Sequence, residues 1–477
     1  MVIPGIMGSE LRDRDLGREI WAVPRAAGYA VRWRDRELMA ALAVTDEERA
    51  GKTGRVEVAG LIGVPHLGAV FGGLEPYGPL VRDLRRVAHP AAVREFAYDW
   101  RLSVAYNATL LAEAMHRFLG EWQATDDHER ARRMHPDGSP ARLVLVAHSM
   151  GGLLIQSLAA VPGALDEVRL VITLGTPFHG SVLALQLLAT GTGAPLPLAP
   201  ARLRQAARTM PGVHDLLPGY RCVREGDDVR ALHPADIAML GGDAELAGEA
   251  LTAAAGRVSL PLPGHRAVVG IGQATPTSVT LDAGTVTLHP FGYRRHGDDE
   301  LMRNEHTGEL LRVDYGGDAT VFTEAASPVG AETTAFAQQH GALPAAATIR
   351  DLVTHLVATG GRNRGTGLGV GRPRLEAPAV AVRGEPLSIE VSEQDPARDR
   401  IDSTRVSCVI EDPGQADRVL HTVYLDPTPG DPRRLSGRVT LARPGLYRIA
   451  ASIGGDPVTR LLLVQEPGEA AEAELLD

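Results

Sequence analysis

The residues with the clearest chemical potential lie in Leu143-Val144-Leu145-Val146-Ala147-His148-Ser149-Met150-Gly151-Gly152-Leu153-Leu154, where a serine separates an apolar run from a glycine-rich helix start. A serine at such a junction is a nucleophile elbow. A strained turn lifts its Oγ clear of a sheet, and the positions two before and two after it must be small. Ala147 and Gly151 are small, so the pattern is Ala-x-Ser-x-Gly, with a methyl group at the first position of the commoner G-x-S-x-G form. The chemistry is acyl transfer through an acyl-serine, which requires two backbone N–H groups aimed at the developing oxyanion. The residue after the nucleophile, Met150, supplies one, and a loop after an earlier strand supplies the other. The plainer reading is an ordinary serine in a strand-to-helix loop. His148 reads as a neighbour whose ring points away from Ser149, not as its base.

Acyl transfer also needs a histidine to take the serine proton and a carboxylate to fix that histidine's tautomer, in the chain order Ser, acid, His. Asp314-Tyr315-Gly316-Gly317-Asp318-Ala319-Thr320-Val321 offers two carboxylates, Asp314 and Asp318. Gln338-Gln339-His340-Gly341-Ala342-Leu343-Pro344 then offers His340 in a glycine-flanked loop, with His355 as the fallback, whereas His89, His179 and His214 precede the acid. No metal ligands or cofactor enter this chemistry.

Four stretches, in order, resemble the lecithin:cholesterol acyltransferase family, which includes phospholipid:diacylglycerol acyltransferases and bacterial lipases. They are PGIMGSEL near the start, Tyr98-Asp99-Trp100-Arg101, AHSMGG, and TLGTPFHGS from Thr173 to Ser181. The resemblance spans roughly residues 1 to 355 and implies an α/β-hydrolase fold. It places Met7 as the first-loop oxyanion donor, with Ile6 the near alternative, and it favours Asp318 over Asp314 through a Gly-Asp-x-Thr-Val pattern. Ile6, Trp100, Arg101 and Phe178 are the candidate substrate contacts; Trp100 and Arg101 read equally as residues that pack and pair beneath the sheet edge. The resemblance further implies a lipid acyl donor, a lipid alcohol or water as acceptor, and peripheral contact with a membrane. The alternatives are an esterase on non-lipid esters and a non-catalytic lipid- or protein-binding module.

The elements that must position these residues are visible in the pattern of the first 359 residues, where apolar runs alternate with amphipathic ones and so predict a mainly parallel sheet with helices. Strands are expected at 143–147, 170–174 and 267–270, and helices at 79–87, 105–122, 150–160 and 347–358. Insertions near 21–78 and 181–264 exceed what sheet connections need and read as a cap; apolar stretches at 58–64 and 181–188 either line the site or form cap core. Residues 360–374 read as a Gly/Arg-rich linker. Beyond it, 375–466 carries short β runs at 387–391, 405–411, 419–424, 435–441, 446–453 and 459–464, predicting an immunoglobulin-like β-sandwich. Within it, Pro444-Gly445-Leu446-Tyr447 resembles a tyrosine-bearing strand start. Such a module docks a protein partner or orients its neighbour. An acidic tail, 467–477, follows.

Composition narrows the classes further. The 477 residues hold 49 basic against 59 acidic side chains, a formal charge of −10, which argues against a nucleic-acid partner. Cys222 and Cys408 are too few for a disulfide framework and fall in different regions. Neither a signal segment nor an apolar run long enough to span a bilayer is apparent, so cytoplasmic residence is the expectation.

Overall fold

The computed structural model describes residues 1–21, 36–63, 66–67, 73–74, 77–134, 138–191, 200–257, 261–282, 284–296, 300–362, 373–394, 401, 406–413, 418–453 and 457–467. Most of the expected linker, most of the acidic tail and parts of both expected cap insertions lie outside them.

Five strands, β1 (Val2–Ile3), β2 (Leu143–His148), β3 (Val168–Leu174), β4 (Arg266–Gly270) and β5 (Glu332–Phe336), form a sheet in that order. Every pairing is parallel. On the far side of β1 the backbone of 94–96 continues the ladder: Val2 N–H donates to Arg94 O at 2.9 Å and Phe96 N–H to Val2 O at 2.8 Å. The chain therefore leaves β1 to one side and returns to the other for β2. Such reversals open a crevice at the carboxyl ends of the strands, where sites form in open α/β sheets.

β2 is a near-continuous apolar run because the sheet is covered on both faces, its side chains pointing alternately to one and the other. Val146 packs with α1 (Gly78–Val87) and α5 (Ala347–Thr359) through Leu80, Leu84, Leu352 and Leu356. Leu145 and Ala147 face the larger cluster formed with α2 (Val104–Gln123) and α3 (Met150–Ser157) through Leu111, Met115, Leu154 and Ile155. α3 is shorter than the expected 150–160, because its last turn tightens into a 3₁₀ segment, Leu158–Ala160.

Among the described residues, three excursions from the central sheet contribute to the cap. The first pairs Ser9–Asp13 with Arg18–Trp21 and Val56–Leu61, and the second contributes α4 (Leu183–Thr190), whose residues sink into the larger core beside Ile6, Met7 and Met150. The third leaves β4 and supplies Ser278–Asp282 and Thr285–His289, which join Val223–Glu225 and Asp228–Arg230 in one small sheet. This places α4 in core packing.

The C-terminal region forms one four-stranded and one five-stranded sheet over a core of Leu387, Ile389, Ile410, Ile449 and Leu462. Tyr447 Oη donates to Arg443 O at 2.8 Å, as the sequence around Pro444 suggests for an immunoglobulin-like strand start. The arrangement is an α/β-hydrolase fold with cap excursions followed by a β-sandwich.

Candidate active site

Ser149 caps α3 with φ +52° and ψ −129°, a conformation non-glycine residues rarely adopt. The turn is held because its neighbours admit no alternative. A Cβ on Gly151 would sit 2.4 Å from Pro4 O, and one on Gly152 2.0 Å from Thr176 Oγ1. Ser149 N–H in turn donates to Leu174 O at 2.9 Å, tying the elbow to the end of β3. The two glycines after the serine thus let the helix start lie against the first loop and the TLGTP turn.

The structure brings Ser149, Asp318 and His340 together. His340 Nε2 lies 2.8 Å from Ser149 Oγ and its Nδ1 2.8 Å from Asp318 Oδ2. Asp318 is buried, and its other oxygen, Oδ1, accepts the N–H groups of Thr320 at 2.9 Å and Val321 at 2.7 Å. With that carboxylate against Nδ1, the imidazole proton sits on Nδ1 and Nε2 is left to accept from the serine hydroxyl. The His340 N–H also donates to Asp318 O at 2.9 Å, so Asp318 and His340 are coupled through backbone as well as side chain. Asp314 instead accepts Gly316 N–H in a local turn, and His214 bonds Met210 O within its own helical turn.

The loop after β1 also lies against Ser149, where a Cβ on Gly5 would sit 2.8 Å from Ser149 Cβ. Met7 has φ +62°, and Trp21 Nε1 donates to its carbonyl at 2.9 Å, fixing the orientation of that peptide. Met150, first residue of α3, carries one of the N–H groups that a helix start leaves without an intrahelical acceptor.

A feature not anticipated from sequence joins this loop to His340. Gly5 N–H donates to Tyr77 Oη at 2.9 Å, Tyr77 Oη lies 2.8 Å from His148 Nδ1, and His148 Nε2 lies 3.0 Å from His340 O. A carbonyl only accepts, so His148 carries its proton on Nε2 and Tyr77 donates to Nδ1. The relay is fully directed. Reading His148 only as a neighbour pointing away from Ser149 is incomplete, because both of its ring nitrogens are engaged, one by Tyr77 and one by the His340 carbonyl. Burial, followed by the proximity of His340, holds its pKa well below the usual imidazole range despite the opposing bond to the His340 carbonyl. Burial likewise pushes the Tyr77 hydroxyl far up. Tyr77 lies at the end of the first cap excursion, where no sequence spacing ties it to the site.

The candidate substrate contacts are all buried. Trp100 Nε1 donates to Ser9 O at 3.3 Å, and its ring meets Trp21 edge-on at 5.2 Å. Arg101 is wholly buried, with Nε and Nη2 on Asp99 at 2.9 and 2.7 Å and Nη2 also on Glu48 at 2.9 Å. For both residues the structure gives the packing-and-pairing arrangement that ties the first cap excursion to the sheet. Phe178 lies edge-on to His265 at 5.6 Å, and Ile6 packs in the larger core. Among the described residues no helix is long and apolar enough to cross a membrane.

No curated protein matches the sequence. Among solved structures, a Bacillus licheniformis lipase, BlEst2 in propeptide form, is 12% identical over 76% of this chain and 84% of its own, with a TM-score of 0.24. The filamin domain of Lin-41 is 18% identical over 18% of this chain and 83% of its own, with a TM-score of 0.15. A superoxide reductase (neelaredoxin) from Ignicoccus hospitalis is 17% identical over 20% and 80%, with a TM-score of 0.15. The family model for lecithin:cholesterol acyltransferase matches residues 84–240. That stretch holds Ser149, Met150 and the TLGTPFHGS turn, while Met7, Asp318 and His340 lie outside it. Over residues 84–240 the chain is similar to the lecithin:cholesterol acyltransferase family.

Proposed function

We propose that this chain is a serine-dependent lipid O-acyltransferase or lipase that works through an acyl-enzyme on phospholipid or neutral-lipid esters. The family match supports a lipid acyltransferase or lipase-type hydrolase in general. The observation that carries the mechanism is the relay in which His340 stands 2.8 Å from Ser149 Oγ and 2.8 Å from Asp318 Oδ2. His340 Nε2 takes the hydroxyl proton as Ser149 Oγ attacks the ester carbonyl. Asp318 stabilises the imidazolium that results, and the N–H groups of Met7 and Met150 hold the oxyanion. The imidazolium then protonates the leaving alcohol, and His340 next deprotonates water or a lipid hydroxyl, which takes the acyl group from Ser149. Burial of Ser149 and His340 strengthens each of these interactions by keeping water away. A lipid acyl donor, a lipid alcohol acceptor and peripheral contact with a membrane follow from this reading.

The test is incubation of the protein and a Ser149→Ala control with phospholipid and neutral-lipid vesicles, with and without a sterol or diacylglycerol, followed by mass analysis of the lipids. Ser149-dependent loss of the donor is expected. A new ester identifies a transferase and free fatty acid a lipase, whereas donors left intact by both proteins would refute the lipid-ester reading.

A further inference from the structure

Two buried glutamines outside the relay make the same unusual contact. Gln338, two residues before the base, donates from Nε2 to Pro457 O at 3.0 Å and accepts Thr459 N–H on Oε1 at 3.1 Å. Gln273 donates from Nε2 to Pro373 O at 3.0 Å and accepts Leu375 N–H on Oε1 at 3.3 Å. In both cases one side-chain amide takes the carbonyl and the N–H that flank a single strand residue, Val458 or Arg374. A neighbouring parallel strand would engage the same two groups. Both backbones are open there: Pro373–Glu376 is an edge strand, and Val458–Gln465 is covered on that side only from Leu463 onward. Unpaired strand edges normally need covering, and buried peptide groups need partners.

The other end of each glutamine leads to the relay. Gln273 N–H donates to Gly317 O at 2.9 Å, and its carbonyl accepts from Thr275 Oγ1, which itself accepts Ala319 N–H at 3.0 Å. Those contacts enclose Asp318 on both sides, with Ala319 held at φ +75°. Gln338 Oε1 also accepts Gln339 N–H at 2.9 Å, one residue from His340, and Ala337 packs on the sandwich core. Both glutamines are at most 4% exposed, so water does not replace these bonds.

We infer that the C-terminal sandwich is a positioning element of the active site, in which Gln273 clamps the loop of the acid and Gln338 the loop of the base to two strand edges. The inference rests on the proposed acyl-transfer reading for its effect on rate, though not for its effect on loop order. Gln273 and Gln338 touch no reacting atom; they set the His340–Asp318 geometry, so their loss lowers kcat and leaves KM alone.

The experiment compares the full chain with Gln273→Ala, Gln338→Ala and the double variant, using a soluble nitrophenyl ester, a serine-directed phosphonate and hydrogen exchange. The expected result for the double variant is a fall in kcat of at least about 10-fold with KM within about 2-fold. Phosphonate labelling of Ser149 slows in parallel, and backbone exchange across 316–342 accelerates. Ile410→Val, a cavity variant in the sandwich core, loosens the sandwich without touching the clamp and leaves kcat unchanged. Unchanged kcat and exchange in the double variant would overturn the inference, as would an equal loss in Ile410→Val. If the wild type neither turns over ester nor takes phosphonate, the acyl-transfer reading fails, while the exchange rates still decide the clamp.

Discussion

Replacing Tyr77 by phenylalanine tests whether the relay from the first loop to His340 holds the site together. Tyr77 is fully buried, and its hydroxyl accepts from Gly5 N–H at 2.9 Å while donating to His148 Nδ1 at 2.8 Å. Tyr77→Phe keeps the ring and its packing on α1 but strands one buried donor and one buried acceptor. An unsatisfied buried group costs about 1–3 kcal/mol, so the pair costs about 2–6 kcal/mol, a large share of a stability of about 5–15 kcal/mol. Urea unfolding followed by tryptophan fluorescence reads this cleanly, because Trp21, Trp33, Trp100 and Trp122 all precede the sandwich. The midpoint should fall at unchanged slope. A double-mutant cycle sharpens the test. In a His148→Ala background the acceptor is already gone, so Tyr77→Phe should cost about 1–3 kcal/mol less. A midpoint shift worth under about 0.5 kcal/mol, or two fully additive losses, would refute the relay as a stabilising unit.

Further outcomes follow from the same geometry. Asp318→Asn leaves the shape intact but reverses the proton preference at His340 Nδ1, so kcat should fall about 10³–10⁴-fold with little change in unfolding midpoint; a fall under about 10-fold in ester turnover would contradict its role. Gly152→Ala drives a methyl into Thr176, 2.0 Å away, and should destabilise by about 1–3 kcal/mol or more, with partial recovery in Thr176→Ala, read by the same urea assay. Burial, and then the charge of Arg266, lower the His265 pKa to about 4, below its unfolded value of about 6.5. Between those values the unfolded chain binds the extra proton, so the contribution is present above pH 6.5 or so and is lost as pH falls towards 4, about 3 kcal/mol in all. His265→Gln should flatten that part of the urea midpoint's pH dependence, and an unchanged slope would count against it.

What the sequence makes legible depends on how local the cause is. β2, β3 and β4 fall within two residues of the runs expected at 143–147, 170–174 and 267–270, because a strand buried on both faces is written as a continuous apolar run. The elbow is legible because Gly151 and Gly152 answer to contacts within the turn and its immediate neighbours. Short strands such as Val2–Ile3 and Pro373–Glu376 carry no periodicity of their own and form only where a partner edge awaits them. The third cap excursion is hidden for the same reason, since Ser278–Asp282 finds Val223–Glu225 across a long separation. Trp100 and Arg101 look equally suited to substrate contact and to packing in one dimension. Only the approach of Glu48, Asp99 and Ser9 shows which groups they meet. Tyr77, Gln273 and Gln338 are invisible to spacing because each acts by joining segments that the chain keeps far apart.

The most direct test of the central claim is reaction of the full chain with a serine-directed phosphonate, with the site of attachment mapped by peptide mass analysis in wild type, His340→Ala and Ser149→Ala. The account predicts rapid attachment to Ser149 in the wild type, severe slowing in His340→Ala and none in Ser149→Ala. Attachment to another residue, no attachment to the wild type, or equal rates with and without His340 would contradict it.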